Sequence, residues 1–130
     1  MLFRSDGAFD KAAEWASLSP QTRASIKAAY HAAGIKLMVS VFGSTDAPTT
    51  NGTDPVKVAQ MVGAWVKEFN VDGVDVDYED FDAVNKGDGS AEAWVIAFMK
   101  ELRVLLPQSQ YIVTHARTCL FSLSLLSLYS

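Results

Sequence analysis

The run Asp72-Gly73-Val74-Asp75-Val76-Asp77-Tyr78-Glu79 holds three carboxylates at alternate positions, Asp75, Asp77 and Glu79. A β-strand sends successive side chains to opposite faces, so these three share one face while Val74, Val76 and Tyr78 share the other. Like charges lined up on a strand whose other face is apolar are costly to hold ionised. Such an array suits two kinds of chemistry. A carboxyl group that keeps its proton near working pH can act as a general acid and afterwards as a base. Paired oxygens can also hold a hard cation.

The two uses differ in what they require next. Asp75-Val76-Asp77 is a D-x-D pair of the sort that binds Ca2+ or Mg2+, but a calcium loop wants glycine after its third ligand and Asp80 occupies that region. No metal and no cofactor is assigned. For proton chemistry, Asp77 lies one same-face step from Glu79, roughly 7 Å along a strand. The two should titrate as a coupled pair, with Asp75 deeper on the same face pushing a shared proton toward Glu79. The rival reading is a solvated acidic edge strand, and the apolar partners Val74 and Val76 argue against it. Asp80 and Asp82 are expected to face solvent beyond the strand.

Helical and extended segments alternate around this strand. Ser19-Pro20 reads as an N-cap with proline at the first helical position, and the helix runs through Ile26, Ala29 and Tyr30 to a stop at Gly34. A strand is expected from Ile35 to Phe42, then a loop rich in Ser, Thr, Pro and Gly. Asp54-Pro55 opens a second helix by the same logic, with Val58, Met61, Val62, Trp65 and Phe69 at helical spacing and a stop at Asn70. After the acidic strand comes a polar loop over residues 85–89. Ser90 then opens a third helix whose buried face is Trp94, Ala97, Phe98, Leu102 and Leu105, ended by Pro107. The last strand is Gln110 to His115. Residues 1–10 show no clear period. This order predicts an α/β fold with parallel strands and right-handed crossover helices.

D-G-V-D-V-D-Y-E resembles the catalytic signature of the family 18 glycoside hydrolases, the chitinases and endo-β-N-acetylglucosaminidases. The run from Phe42 to Thr50 is similar to fungal members, and the resemblance spans roughly residues 8–116. It implies a (β/α)8 TIM barrel, of which this chain would hold about half, since such barrels take about 250 residues. It implies Glu79 as the general acid/base, Asp77 as the group that orients the substrate's 2-acetamido arm, and Asp75 as the buried carboxylate behind them. The implied reaction is substrate-assisted, retaining cleavage of β-1,4 bonds at N-acetylglucosamine in chitin or a related oligosaccharide. Ser40 matches a serine that bonds within the buried aspartates, although the family's S-x-G-G stands here as Ser40-Val41-Phe42-Gly43. His115, near a strand's carboxyl end, is a candidate substrate contact. Tyr78 is another, with packing behind the strand as its stronger reading. Other members imply an extracellular enzyme, a first strand that is missing or cut short here, and further active-site residues on later strands. Weak or absent turnover and self-association through open barrel edges are therefore expected. A non-catalytic carbohydrate-binding protein on the same scaffold is the alternative, and retention of both Asp77 and Glu79 argues against it.

Composition sets the outer bounds. The chain has 130 residues, 49% hydrophobic and 20% charged, with a net charge of −4. A pI near 5.0 argues against a nucleic-acid partner, which wants a basic stripe. A single cysteine, Cys119, excludes an internal disulfide. No apolar leader follows Met1, and no stretch is long enough to span a membrane. Asn51-Gly52-Thr53 is a glycosylation sequon in a loop. His31 is expected at the surface or the edge of the core, Trp65 and Trp94 in the core, and Trp15 is left open. Residues 117–130, uncharged after Arg117, break the pattern. They are read as an out-of-family tail on a partial catalytic domain at residues 1–116.

Overall fold

A computed structural model describes residues 2–116 of the chain; the expected tail lies outside the described residues. The chain forms β1 (Leu2–Arg4), β2 (Gly7–Phe9), α1 (Lys11–Ser17), α2 (Pro20–Ala32), β3 (Met38–Phe42), α3 (Pro55–Glu68), β4 (Gly73–Asp77), α4 (Phe81–Asn85), α5 (Ser90–Leu105) and β5 (Ile112–His115). Five strands make one sheet in the order β2-β1-β3-β4-β5. The β1–β3, β3–β4 and β4–β5 pairs are parallel, as the alternation of elements demands.

Two local signals set the helix starts. The Ser19 hydroxyl accepts the Thr22 amide, and the Asp54 carboxylate accepts the amides of Val56 and Lys57, each with proline at the first helical position. Gly34 (φ +76°) and Asn70 (φ +54°) follow α2 and α3 in the left-handed region, where helices stop readily. Between the parallel strands, α3 and α5 lie against one face of the sheet. Val39, Val41, Val74 and Val76 from the strands meet Val58, Val62, Val66, Phe98 and Leu102 from the helices in one buried core.

The amino-terminal segment, which shows no clear period in sequence, forms two short strands. The first strand is present and is three residues long. Leu2 pairs with Ser40 and Phe3 with Val41, and the buried Phe3 ring meets Trp65 edge-on at 5.7 Å. It then turns back into β2 as an antiparallel hairpin, so the sheet is mixed rather than wholly parallel. Three-residue strands are too short to display a period of two. Trp15 belongs to the core from α1, its Nε1–H donating to the Phe69 carbonyl at 3.0 Å. Trp65 and Trp94 are buried as expected. A short helix, α4, fills residues 81–85, between the acidic strand and the expected loop, where no element was assigned from sequence.

The far end of the sheet, at the amino ends of the strands, is tied by charge. Asp72 accepts the Leu37 amide at 2.7 Å, meets His31 Nε2 at 2.8 Å and pairs with Lys27 Nζ at 3.3 Å. These bonds join α2 to the β3–β4 register, a role His31 was not given from sequence. Burial alone raises the Asp72 carboxyl, but His31, the Leu37 amide and Lys27 outweigh it and hold it below the usual carboxylate range. Among the described residues no helix is long and apolar enough to cross a membrane.

Candidate active site on the acidic strand

The alternation that defines the acidic run survives folding. Val74, Val76 and Tyr78 are buried, while Asp75, Asp77 and Glu79 are each partly exposed. Ladder pairing stops at Asp77, yet the alternation of burial continues through Asp80. Asp75 and Asp77 therefore lie on the sheet face that does not receive α3 and α5, and Glu79 continues the alternation of burial past the strand. Glu79 lies just past the carboxyl end of β4, the end at which sites form in parallel α/β sheets.

Strand register builds a row around Asp75. Ser40 on β3 and Thr114 on β5 are its two neighbours across the ladder. The Ser40 hydroxyl reaches Asp75 Oδ2 at 3.5 Å, and the Thr114 hydroxyl donates to Oδ1 at 2.5 Å. Asp75 is thus flanked by a hydroxyl from each adjoining strand. Ser40 was anticipated from the sequence. Thr114 was not; its signal, a polar β-branched residue alternating with Val113 and His115, is weak on its own.

The next row is shaped by an unusual turn. Phe42 is the register partner of Asp77, which would set both side chains on one face. Phe42 instead adopts φ +79°, followed by Gly43 at φ +71°. Its ring is fully buried on the helix side, 5.4 Å from Trp94 and 5.1 Å from Phe98, both edge-on. The left-handed turn therefore removes a large ring from the row that Asp77 occupies. The Gly43 amide then donates to the Asp77 carbonyl at 2.9 Å. The S-x-G-G departure is thus accommodated with Phe42 in a backbone region that glycine favours.

Tyr78 and Asp80 flank Glu79 in the chain and point to the other side. Tyr78 is fully buried, stacked on Trp94 at 5.9 Å, with its hydroxyl 2.7 Å from Thr49 Oγ1. Of its two readings, the structure gives packing, because no surface of the side chain is left for a sugar. Burial pushes its phenol up to about 12, against the Thr49 bond and with help from the charges of Asp80 and Glu92. The expectation that Asp80 faces solvent is wrong: it is 1% exposed. It caps α4 through the Ala83 amide at 3.2 Å and accepts the Thr50 amide at 2.7 Å and the Thr50 hydroxyl at 2.5 Å. Burial raises its carboxyl, and the Thr50 hydroxyl with the amides of Thr50, Ala83 and Thr49 lowers it by more, so the net position is below the ordinary range. Asp82 is exposed, as expected.

His115 pairs in register with Val76, in the row of Val41 and Val76 rather than the row of Asp75. It is half-buried, and Nδ1 lies 2.9 Å from the Ala116 carbonyl oxygen. Burial lowers its pKa, while that carbonyl and the charges of Asp75 and Asp77 act in the opposite sense. Among the described residues, no three His, Cys, Asp or Glu side chains converge to hold a metal ion.

Comparison with known proteins bears on this architecture. No family model and no curated protein matches the chain. A solved structure does: a GH18 chitinase from Pseudoalteromonas aurantia, at 32% identity and a TM-score of 0.63, over 78% of this chain and 38% of that chain. The chain thus spans well under half the length of this neighbour. Its sheet and crossover helices have the fold of part of a TIM-like barrel of the family 18 glycoside hydrolase type.

Proposed function

We propose that this chain is a chitinase-like glycoside hydrolase of family 18, cleaving β-1,4 bonds next to N-acetylglucosamine outside the cell. The observation that carries the reading is the acidic row on one sheet face, with Glu79 at the carboxyl end of β4 and Asp75 flanked by the hydroxyls of Ser40 and Thr114. The fold shared with a GH18 chitinase supports it.

In this reading Glu79 gives its proton to the glycosidic oxygen as the bond from that oxygen to C1 breaks. The substrate's own acetamido oxygen closes on C1 from the other face and takes up the developing positive charge. Asp77 orients that arm and stabilises its charge, and Asp75 sets the carboxylate of Asp77. Glu79, now ionised, takes a proton from the water that attacks C1, so configuration is retained. Self-association along β5 belongs to the same reading: among the described residues β5 is paired only on its β4 side, and Ile112 is 39% exposed.

Hydrolysis of chitooligosaccharides by the chain and by Glu79→Gln tests the reading. Loss of about 10²–10⁴-fold in the variant is expected for removal of a general acid. Equal background rates from the two proteins reject catalysis, and tight binding without cleavage assigns a carbohydrate-binding role instead.

A further inference from the structure

Glu79 lies in a stretch without ladder hydrogen bonds, yet both of its neighbours are fastened to the same place. Tyr78 meets the hydroxyl of Thr49, and Asp80 takes both the amide and the hydroxyl of Thr50. Thr49 and Thr50 are consecutive residues of the β3–α3 loop. That loop is itself closed on its own backbone, with the Asn51 amide on the Ala47 carbonyl at 2.9 Å and the Thr53 amide and hydroxyl on the Pro48 carbonyl at 2.9 and 2.8 Å. It is anchored to α5 as well, where Trp94 Nε1–H donates to the Thr53 carbonyl at 2.7 Å. A buried carboxylate that satisfies three donors is an expensive way to end a strand unless its position matters.

We propose that Thr49 and Thr50, acting through Tyr78 and Asp80, are positioning residues that clamp Glu79 from both sides and fix the direction of its carboxyl group. The geometry explains why the period of two persists beyond the last ladder bond: Tyr78 and Asp80 are pinned, so Glu79 between them must project from the acidic face. Neither threonine touches the reacting atoms. Calling Glu79 the acid rests on the hydrolase reading; the clamp itself does not.

Backbone 15N relaxation of the intact chain tests the clamp without requiring turnover. In the wild-type protein, Glu79 is expected to be as rigid as β4, with an order parameter of about 0.85, and in Thr50→Val to fall toward about 0.6 while residues 73–76 stay rigid. Thr50→Ser, which keeps the hydroxyl, restores the wild-type value. Thr49→Val, which cuts only the Tyr78 tie, gives a smaller loss at Glu79 and keeps the test in hand if Thr50→Val does not fold. A Glu79 that stays rigid in both valine variants overturns the proposal. So does mobility spread evenly over β4 and α4, or a Glu79 already mobile in the wild-type protein. Where turnover is measurable, kcat falls about 10–100-fold in Thr50→Val with KM little changed. If the wild-type chain cleaves no chitooligosaccharide while Glu79, rigid in that chain, loses order in Thr50→Val, the hydrolase reading is refuted and the clamp stands.

Discussion

The turn at Phe42 offers a test in which two truncations should rank against ordinary experience. Phe42 is fully buried, with Tyr78, Trp94 and Phe98 around its ring at centroid distances of 6.3, 5.4 and 5.1 Å. Cutting a buried phenylalanine to alanine costs about 3–5 kcal/mol, and three edge-on aromatic contacts put this site toward the upper end. Its backbone, however, sits at φ +79°. A residue with a Cβ held in the left-handed region costs about 1–2 kcal/mol, which alanine retains and glycine sheds. Against that, glycine loses about 0.5–1 kcal/mol more than alanine in chain entropy.

The difference leaves Phe42→Gly at least as stable as Phe42→Ala, by about 0.5 kcal/mol, although both lose about 4 kcal/mol against the wild type. At an ordinary strand position the order is reversed. Urea unfolding reads it directly: with a slope near 2 kcal/mol per M, the glycine variant's midpoint lies roughly 0.25 M above that of alanine. An alanine variant more stable than the glycine variant by about 1 kcal/mol refutes the strained turn, and with it the account of how Phe42 leaves the row of Asp77.

Two further perturbations probe the scaffold. A Cβ built on Gly73 falls 1.8 Å from the Ile112 carbonyl oxygen, so Gly73→Ala forces β5 away from β4. A loss of about 3 kcal/mol or more is expected, with amide exchange accelerated over residues 112–116 and little changed in β1 and β3; unaltered protection of β5 speaks against so close an approach. Asp72 and Asp80 both have carboxyls held below the ordinary range in the folded state, so their contribution is complete above the unfolded carboxylate value, near pH 4, and drains as pH falls through their lowered folded values. Denaturant midpoints should therefore decline between about pH 5 and pH 2, with a shallower decline in Asp72→Asn; stability that is flat over that interval contradicts the bonding described for both residues.

Legibility from sequence followed the range of the interactions involved. Helix starts at Ser19 and Asp54 were readable because the cap, the proline and the amides they serve lie within four residues. The acidic face was readable because a period of two needs only the strand itself. The hairpin at residues 2–9 was not, since two three-residue strands pair too briefly to leave a pattern. Asp80 was misjudged for the opposite reason. Its donors on Thr50 are thirty residues away, and a charge next to a strand end carries no local mark of burial. His31 and Asp72 likewise find each other only across 41 residues. Thr114 shows the intermediate case, visible as part of a strand but given a partner only by register.

The misjudged residue is also the one that makes the acidic row continuous. Ladder hydrogen bonds fix side-chain direction as far as Asp77, and a free chain beyond that point could place Glu79 on either face at little cost. Direction is restored by burying what stands on each side of it. Tyr78 supplies an aromatic anchor within the core, and Asp80 supplies a charge that can be buried only where three donors await it. An apolar residue at position 80 could fill the space but would leave the amides of Thr50 and Ala83 without their acceptor. A leucine there would therefore be expected to slacken the extension more than its hydrophobicity would suggest. The alternation of acid and apolar residues is legible in the chain, but its persistence to Glu79 depends on a buried charge that breaks the alternation's own rule.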